Sequence, residues 1–321
     1  MDFTHVTAGQ DDDGRRLDTI IRRYLPGQPL SRVYGALRKG LVCVDGRRRR
    51  QDFRVRAGND IAIARVLLLD EEKHAPKTPA APLPDDLVLF RNSDLLILNK
   101  PYDLPVQKAR RDGQSLADMV QDDFAFHHGN DGGSLSFRCG PLHRLDRKTT
   151  GIVVFSQSLR GAQWFSQAVR AHAVQKKYLA LVQNTLDHEQ KWEDDIAEKD
   201  TPSRRFHTVS VGGNGKHAQT AVEPLAVGTF RGMPVTLVEC AIVTGRKHQI
   251  RAQAAAHGFP LIGDTAYGGS EIAGTQDFFL HAHRLVIGEN PLGVPPDIRA
   301  AIPDYFAKML RTCLIKSDAR L

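Results

Sequence analysis

Four prolines, Pro76, Pro79, Pro82 and Pro84, stand among Ala, Lys and Glu within residues 70–86. Each fixes its φ angle and lacks a backbone donor, so neither a helix interior nor a central strand accepts such a run. The stretch therefore reads as a semi-extended linker over 71–86, with a loop packed on a domain surface as the alternative for part of it. It divides the 321-residue chain into a small unit over 14–70 and a large one over 87–321. Hydrophobic residues make up 41% and charged residues 25%, enough apolar material for a sizeable core. No apolar run approaches the roughly 18 residues of a membrane span. Met1–His5 lacks the basic and apolar regions of a signal peptide, so a cytoplasmic protein is expected. Cys43, Cys139, Cys240 and Cys313 have no CxxC spacing, which argues for buried free thiols over zinc ligands or disulfides.

Charge is concentrated in the small unit. Gly14–Arg65 carries fourteen Lys/Arg against four Asp/Glu, a local +10 in a chain whose net charge is +7. Such a cluster is the footprint of a nucleic-acid binder, against the plainer reading of a solvated basic surface. Leu17, Ile20, Ile21, Tyr24 and Leu25 follow the spacing of an amphipathic helix. Ser31 reads as the N-cap of a second helix with Val33 and Leu37 on one face, and Gly40 as its stop. Leu41–Val44 reads as a strand and Asp45-Gly46 as a hairpin turn, with Arg47–Arg50 behind it. Phe53, Val55, Ile61 and Ile63 suggest further strand around a turn at Ala57–Asp60. The segments Arg16-Leu-Asp18, Leu37-Arg-Lys-Gly40, Val44-Asp-Gly46 and Val55–Ile61 resemble the S4 RNA-binding domain. The resemblance implies that Arg16, Arg38, Lys39 and Arg47 contact structured RNA.

From Leu87 onward the chain reads as mixed α and β. Strands are expected at Leu87–Phe90, Leu95–Leu98, Gly151–Phe155, Tyr178–Val182 and Val235–Val243. Leu159, Ala162, Phe165 and Val169 line one helix face, and Arg246–His257 reads as a helix ending at Gly258. Just before the Gly151 strand lies Pro141-Leu-His-Arg-Leu-Asp-Arg-Lys148, which sets Asp146 between Arg144 and Arg147. Neighbouring cations favour the charged form of a carboxylate, so Asp146 is placed to act as an ionised nucleophile or base. On those charges alone an ion-paired surface loop is the stronger reading, since structural pairs arise in the same way.

Four further segments change that balance: Asn99-Lys-Pro101, Lys176-Lys-Tyr178, Thr244-Gly-Arg-Lys-His-Gln-Ile-Arg251 and Leu261–Gly268. In this order, with the Asp146 loop, they resemble the RluA family of pseudouridine synthases in its S4-bearing form. The resemblance implies an α+β architecture: a small S4-like unit, then a catalytic domain with a mixed, mostly antiparallel sheet flanked by helices. It implies conversion of uridine to pseudouridine in RNA with no metal or cofactor; a monomer is expected, and no membrane partner. Asp146 matches the catalytic aspartate, which either attacks C1′ or removes the 2′ proton. Tyr178 matches a tyrosine that stacks on the target base and serves as a candidate general base. Arg251 matches the arginine paired with the aspartate. Arg144 matches the residue that helps evict the uridine, with a plain phosphate contact as the alternative. His143 is expected to shape this substrate-side loop. Lys100 is expected either to bind RNA backbone or to make a structural salt bridge. His248 and Gln249 would support the Arg251 helix.

The chain departs from the family pattern at Asp103, where glycine is usual, at Pro105, at Gln107 in place of histidine, and at Lys247 in place of Thr or Ser. The expected partner is RNA, either 23S ribosomal RNA or a large-subunit precursor. The alternatives are the same reaction on transfer RNA, or a non-catalytic ribosome-assembly protein. A hydrolase is disfavoured because neither GxSxG nor HExxH occurs.

Overall fold

A computed structural model describes residues 2–25, 28–68, 81–108, 113–128, 134–198, 208–213, 215–272 and 278–313. Most of the proline-rich linker lies outside these described residues. The chain divides into two compact units. One holds Met1–Leu83 with Asp118–Gly140 and Ser156–Ala162, and the other holds the remainder. Among the described residues no helix is long and apolar enough to cross a membrane.

In the first unit, strand β1 (Phe3–Thr7) is followed by helices α1 (Leu17–Tyr24) and α2 (Leu30–Lys39), then β2 (Val42–Val44) and β3 (Asp60–Ala64). The strands form an antiparallel sheet in the order β1-β3-β2. Leu17, Ile20 and Ile21 bury the predicted face of α1 against Val33, Leu37, Val44, Ile61 and Ile63. Gly40 ends α2 with φ 71°, which only glycine adopts without strain. Asp45 and Gly46 both have positive φ, and Val44 and Arg47 exchange both backbone hydrogen bonds, so the expected two-residue hairpin forms.

Two local expectations are corrected. Ser31 lies inside α2, because Pro29 caps it in extended backbone that needs no donor of its own. Phe53–Val55 is not a sheet strand. Its carbonyls and amides pair instead with Gly14, Arg15 and Leu17 ahead of α1. A buried carboxylate, Asp12, also joins distant chain within this unit. It is 0% exposed and accepts from the amides of Gly9, Leu135 and Ser136 and from the Ser134 hydroxyl.

The second unit is built on β4 (Val88–Arg91), β5 (Leu95–Lys100), β6 (Gly140–Pro141), β7 (Thr150–Ser156), β8 (Gln175–Gln183), β9 (Gln190–Glu198), β10 (Val209–Val211), β11 (Lys216–Phe230), β12 (Met233–Ile242), β13 (Leu280–Val286) and β14 (Asp297–Arg299). Helices α5 (Gln249–Ala256) and α6 (Asp304–Thr312) belong to this unit, while α3 (Leu116–His128) falls almost wholly in the first and α4 (Leu159–Arg170) begins there. The eleven-stranded sheet runs β10-β9-β11-β12-β8-β13-β7-β5-β4, with β14 on β13 and β6 on β7. Its described pairings are antiparallel except β13 with β7, so the sheet is mixed and mostly antiparallel. On one face Phe306, Met309 and Leu310 of α6 pack over Leu179, Leu181, Leu237 and Phe279. Burying each such side chain contributes about 1.5–3 kcal/mol. The Arg246–His257 helix expectation is also corrected. His248 adopts φ 53°, which a continuing helix cannot hold, so α5 starts at Gln249. Cys139, Cys240 and Cys313 are buried and Cys43 is half-buried, none of them in a disulfide.

Gly151, second in β7, has φ 105°, and a Cβ there would lie 2.3 Å from the Ala282 carbonyl oxygen. Gly151→Ala should therefore destabilise the protein by about 3 kcal/mol or more, seen as a thermal midpoint lower by several degrees. On the α6 side of the sheet, Glu239 accepts from Lys177 and lies 2.8 Å from His283 Nε2. These hydrogen bonds, that of His283 foremost, hold its carboxyl near 2 against the usual 4.5. A depressed carboxylate stabilises the fold fully above about pH 4.5 and loses that contribution as pH falls toward 2. Urea midpoints measured across that window should fall less steeply for Glu239→Gln than for the wild type.

Candidate active site

Asp146 sits in the turn between β6 and β7, and its carbonyl accepts from the Thr149 amide at 3.0 Å. Its Oδ2 receives a hydrogen bond from Arg251 Nη1 at 3.0 Å. Arg251 lies in the first turn of α5 and is 8% exposed. The rest of its guanidinium is spent on Asp264, through Nε to Oδ2 at 2.7 Å and Nη2 to Oδ1 at 2.9 Å. Asp264 is 2% exposed. The guanidinium plane is also flanked by the rings of Phe278, 4.3 Å away, and Tyr267, 4.9 Å away. Burial disfavours the Arg251 charge, but the two carboxylates outweigh it and hold the guanidinium above its ordinary value. One cation is thus fixed by the buried Asp264 and presents its remaining edge to Asp146.

The loop before α5 is equally constrained. The Gln249 side-chain oxygen accepts from Thr244 Oγ1 and the Arg246 amide, while its nitrogen donates to the Gln219 carbonyl and Thr220 Oγ1. His248 Nδ1 lies 2.9 Å from the Tyr267 hydroxyl, which accepts from the Val209 amide. The other ring nitrogen, Nε2, faces Asp146 Oδ1 at 3.7 Å. Burial pushes the His248 imidazole down, so it stands there neutral. The expectation that His248 and Gln249 support this region agrees with these contacts.

Tyr178 of β8, Ile242 at the end of β12 and Leu280 at the start of β13 wall an open cleft beside Asp146, Arg144 and His248. Burial, reinforced by the Asp146 charge, raises the Tyr178 phenol well above its ordinary value, so it rests protonated. Arg144 is exposed at this cleft and makes no hydrogen bond or ion pair among the described residues.

Other candidates lie elsewhere. Lys100 is 1% exposed and turned inward, with Nζ donating to the carbonyls of Pro101, Leu104 and Arg147 at 2.9, 2.8 and 2.8 Å. This corrects both readings of Lys100, since its donors meet backbone and neither RNA nor a carboxylate. Burial pushes the ammonium down to about 7, partly offset by Asp146 and Asp103. His143 accepts from the Val154 amide through Nε2 at 3.2 Å and stacks on Phe165, so it shapes the loop. Burial and the Lys176 charge push it down to about 3. Arg16 is held bidentately by Asp18 at 3.1 and 2.7 Å, while Arg38, Lys39 and Arg47 are exposed on the first unit. Among the departures, Asp103 occupies its turn with φ 59° and holds Arg147 Nε at 2.9 Å. Sequence reasoning missed Asp264 and Tyr267 as site residues, although both lie in the Leu261–Gly268 segment it singled out. Among the described residues no cluster of His, Cys, Asp and Glu is arranged to hold a metal ion.

Residues 94–256 match the RNA pseudouridylate synthase family, and residues 15–61 match the S4 domain. The chain is 30% identical to ribosomal large subunit pseudouridine synthase C of Escherichia coli strain K12, over 95% of each chain. It is 26% identical to an uncharacterised RNA pseudouridine synthase of Bacillus subtilis strain 168, over 97% of this chain and 98% of that one. Human RNA pseudouridylate synthase domain containing 4 shares the fold, with a TM-score of 0.56 and 21% identity over 71% of this chain and 93% of that chain.

Asp264 touches no open part of the cleft, yet it sets where Arg251 points. Asp264→Asn should keep the shape and remove the charge that fixes the guanidinium. Its kcat in a product assay should fall by roughly 10–100-fold with a smaller change in KM, the range lost when an outer partner of a site group is removed.

Proposed function

The chain belongs to the RNA pseudouridylate synthase family and is an RNA pseudouridine synthase; from that premise we propose that it modifies uridines of large-subunit ribosomal RNA with Asp146 as its catalytic carboxylate. The observation that carries the assignment is the Asp146–Arg251–Asp264 chain beside a cleft walled by Tyr178, Ile242 and Leu280.

Pseudouridine formation breaks the N1–C1′ bond and joins C5 to C1′. Attack on C1′ and removal of the 2′ proton both need a carboxylate with a free lone pair beside the ribose. Arg251 donates to Oδ2, and His248 lies 3.7 Å from Oδ1, so the carboxylate is oriented through Arg251 while lone pairs remain for the substrate. Tyr178 rests protonated and offers the base its ring face, with Ile242 and Leu280 as apolar walls. A stacked base must leave its helix to enter such a cleft, and unstacking costs a few kcal/mol. Arg144, exposed and uncommitted, is positioned to fill the vacated place. The ribosomal substrate is supported by alignment with the named synthase C along 95% of the chain, S4 unit included. Arg38, Lys39 and Arg47 supply exposed cations on that unit for RNA phosphates.

Asp146→Asn should reduce pseudouridine formation by roughly 10³-fold or more while leaving the thermal midpoint and most RNA affinity in place. Retained activity would overturn the role of Asp146. Pseudouridine mapping in cells lacking the protein should lose sites in large-subunit ribosomal RNA, and loss confined to transfer RNA would overturn the substrate.

A further inference from the structure

Lys176 has no role in the reaction as described above, and its surroundings are unusual. It lies two residues before Tyr178 on β8, so both side chains leave the same face of the sheet. Its register neighbours are Ile242, which walls the cleft, and Leu285. Lys177 points to the opposite face and is paired with Glu239. Lys176 is half-buried and makes no hydrogen bond or ion pair among the described residues. Its charge reaches the His143 ring, which is neutral and already accepts from the Val154 amide. No anion therefore faces it from the Asp146 loop.

From the other side its neighbour is Gly245. A Cβ on that residue would lie 3.5 Å from Lys176 Nζ, in ordinary contact. Gly245 is exposed and its φ is not in the left-handed region, so its backbone does not require glycine. Nζ is the one atom within 4 Å that a Cβ there would meet, so the space over exposed Gly245 is otherwise open. Burying a cation without a partner is costly, and desolvation alone lowers Lys176 from its ordinary value. An anion arriving from outside would restore the balance.

We propose that Lys176 Nζ, reached past Gly245, binds a backbone phosphate of the RNA strand next to the target uridine. This rests on the RNA reading above and extends it to a strand-positioning subsite. The phosphate contact would hold the strand while the base rotates toward Tyr178. A point charge suits this task, since it accepts any phosphate oxygen without reading sequence.

Lys176→Met keeps the apolar stem and removes the charge. Binding to an in vitro transcribed large-subunit RNA fragment should weaken about tenfold, as for loss of a charge-assisted hydrogen bond. The slope of log affinity against log salt should become shallower by about 1, the signature of one lost phosphate contact. KM should rise more than kcat falls, Lys176→Arg should recover the wild-type slope, and the thermal midpoint of Lys176→Met should not drop. Gly245→Val, which covers Nζ with a side chain, should reproduce the loss of affinity. Unchanged affinity and salt slope in Lys176→Met, or a wild-type slope in Gly245→Val, would overturn the subsite. Absence of pseudouridine formation by the wild-type protein on the same RNA would instead overturn the substrate assignment, because binding and slope are read independently of turnover.

Discussion

The site depends on a single shared cation. Arg251 is buried, and a buried guanidinium is tolerated only where its donors and its charge are both met. Asp264 meets most of that requirement and leaves one nitrogen for Asp146. The arrangement separates two tasks that one carboxylate performs poorly together. Asp264, almost fully buried, fixes the arginine, whereas Asp146 lines the cleft with part of its carboxylate unpaired. The same logic explains the crowded loop before α5. Gln249 uses its amide on four partners, and His248 bends the chain at φ 53°, so that α5 begins where Arg251 can reach across.

Lys100 plays the corresponding part from the other flank. Its three donors hold the carbonyls of Pro101, Leu104 and Arg147, so the turn after β5 and the loop carrying Asp146 are tied to one ammonium. Asp103 adds a second tie through Arg147. Aspartate is among the few residues besides glycine that tolerate left-handed backbone, so Asp103 holds this turn at φ 59°. Its carboxylate faces the Asp146 loop through Arg147.

Much of this was legible in the sequence because the signals were local. The α1 apolar spacing, Gly40, Asp45-Gly46 and the apolar run of β7 each state their structure within a few residues. The Asp146 loop was legible as a motif. What escaped was either weakly patterned or purely spatial. β1 is polar and half-buried, with no alternation to announce it. β11 carries Pro224 at a register shift, which breaks the expected strand pattern midway. Asp264 looks like any loop acid until the fold brings it beneath Arg251. Lys100 looks the same in sequence whether it meets phosphate or carbonyl, and only burial separates the two.

Asp12 carries a consequence for how this architecture can be taken apart. It binds Leu135 and Ser136, so the first unit is assembled from stretches far apart along the polypeptide, and Leu135 lies in that unit's core. The RNA-binding half is therefore not a detachable bead on a string. Cutting the gene at the proline-rich stretch would separate the carboxylate from the amides it satisfies and bare an apolar side chain. Exchange of this module between relatives is coherent only if residues 118–140 travel with it, so its ancestry and that of the segment leading into the Asp146 loop are bound together.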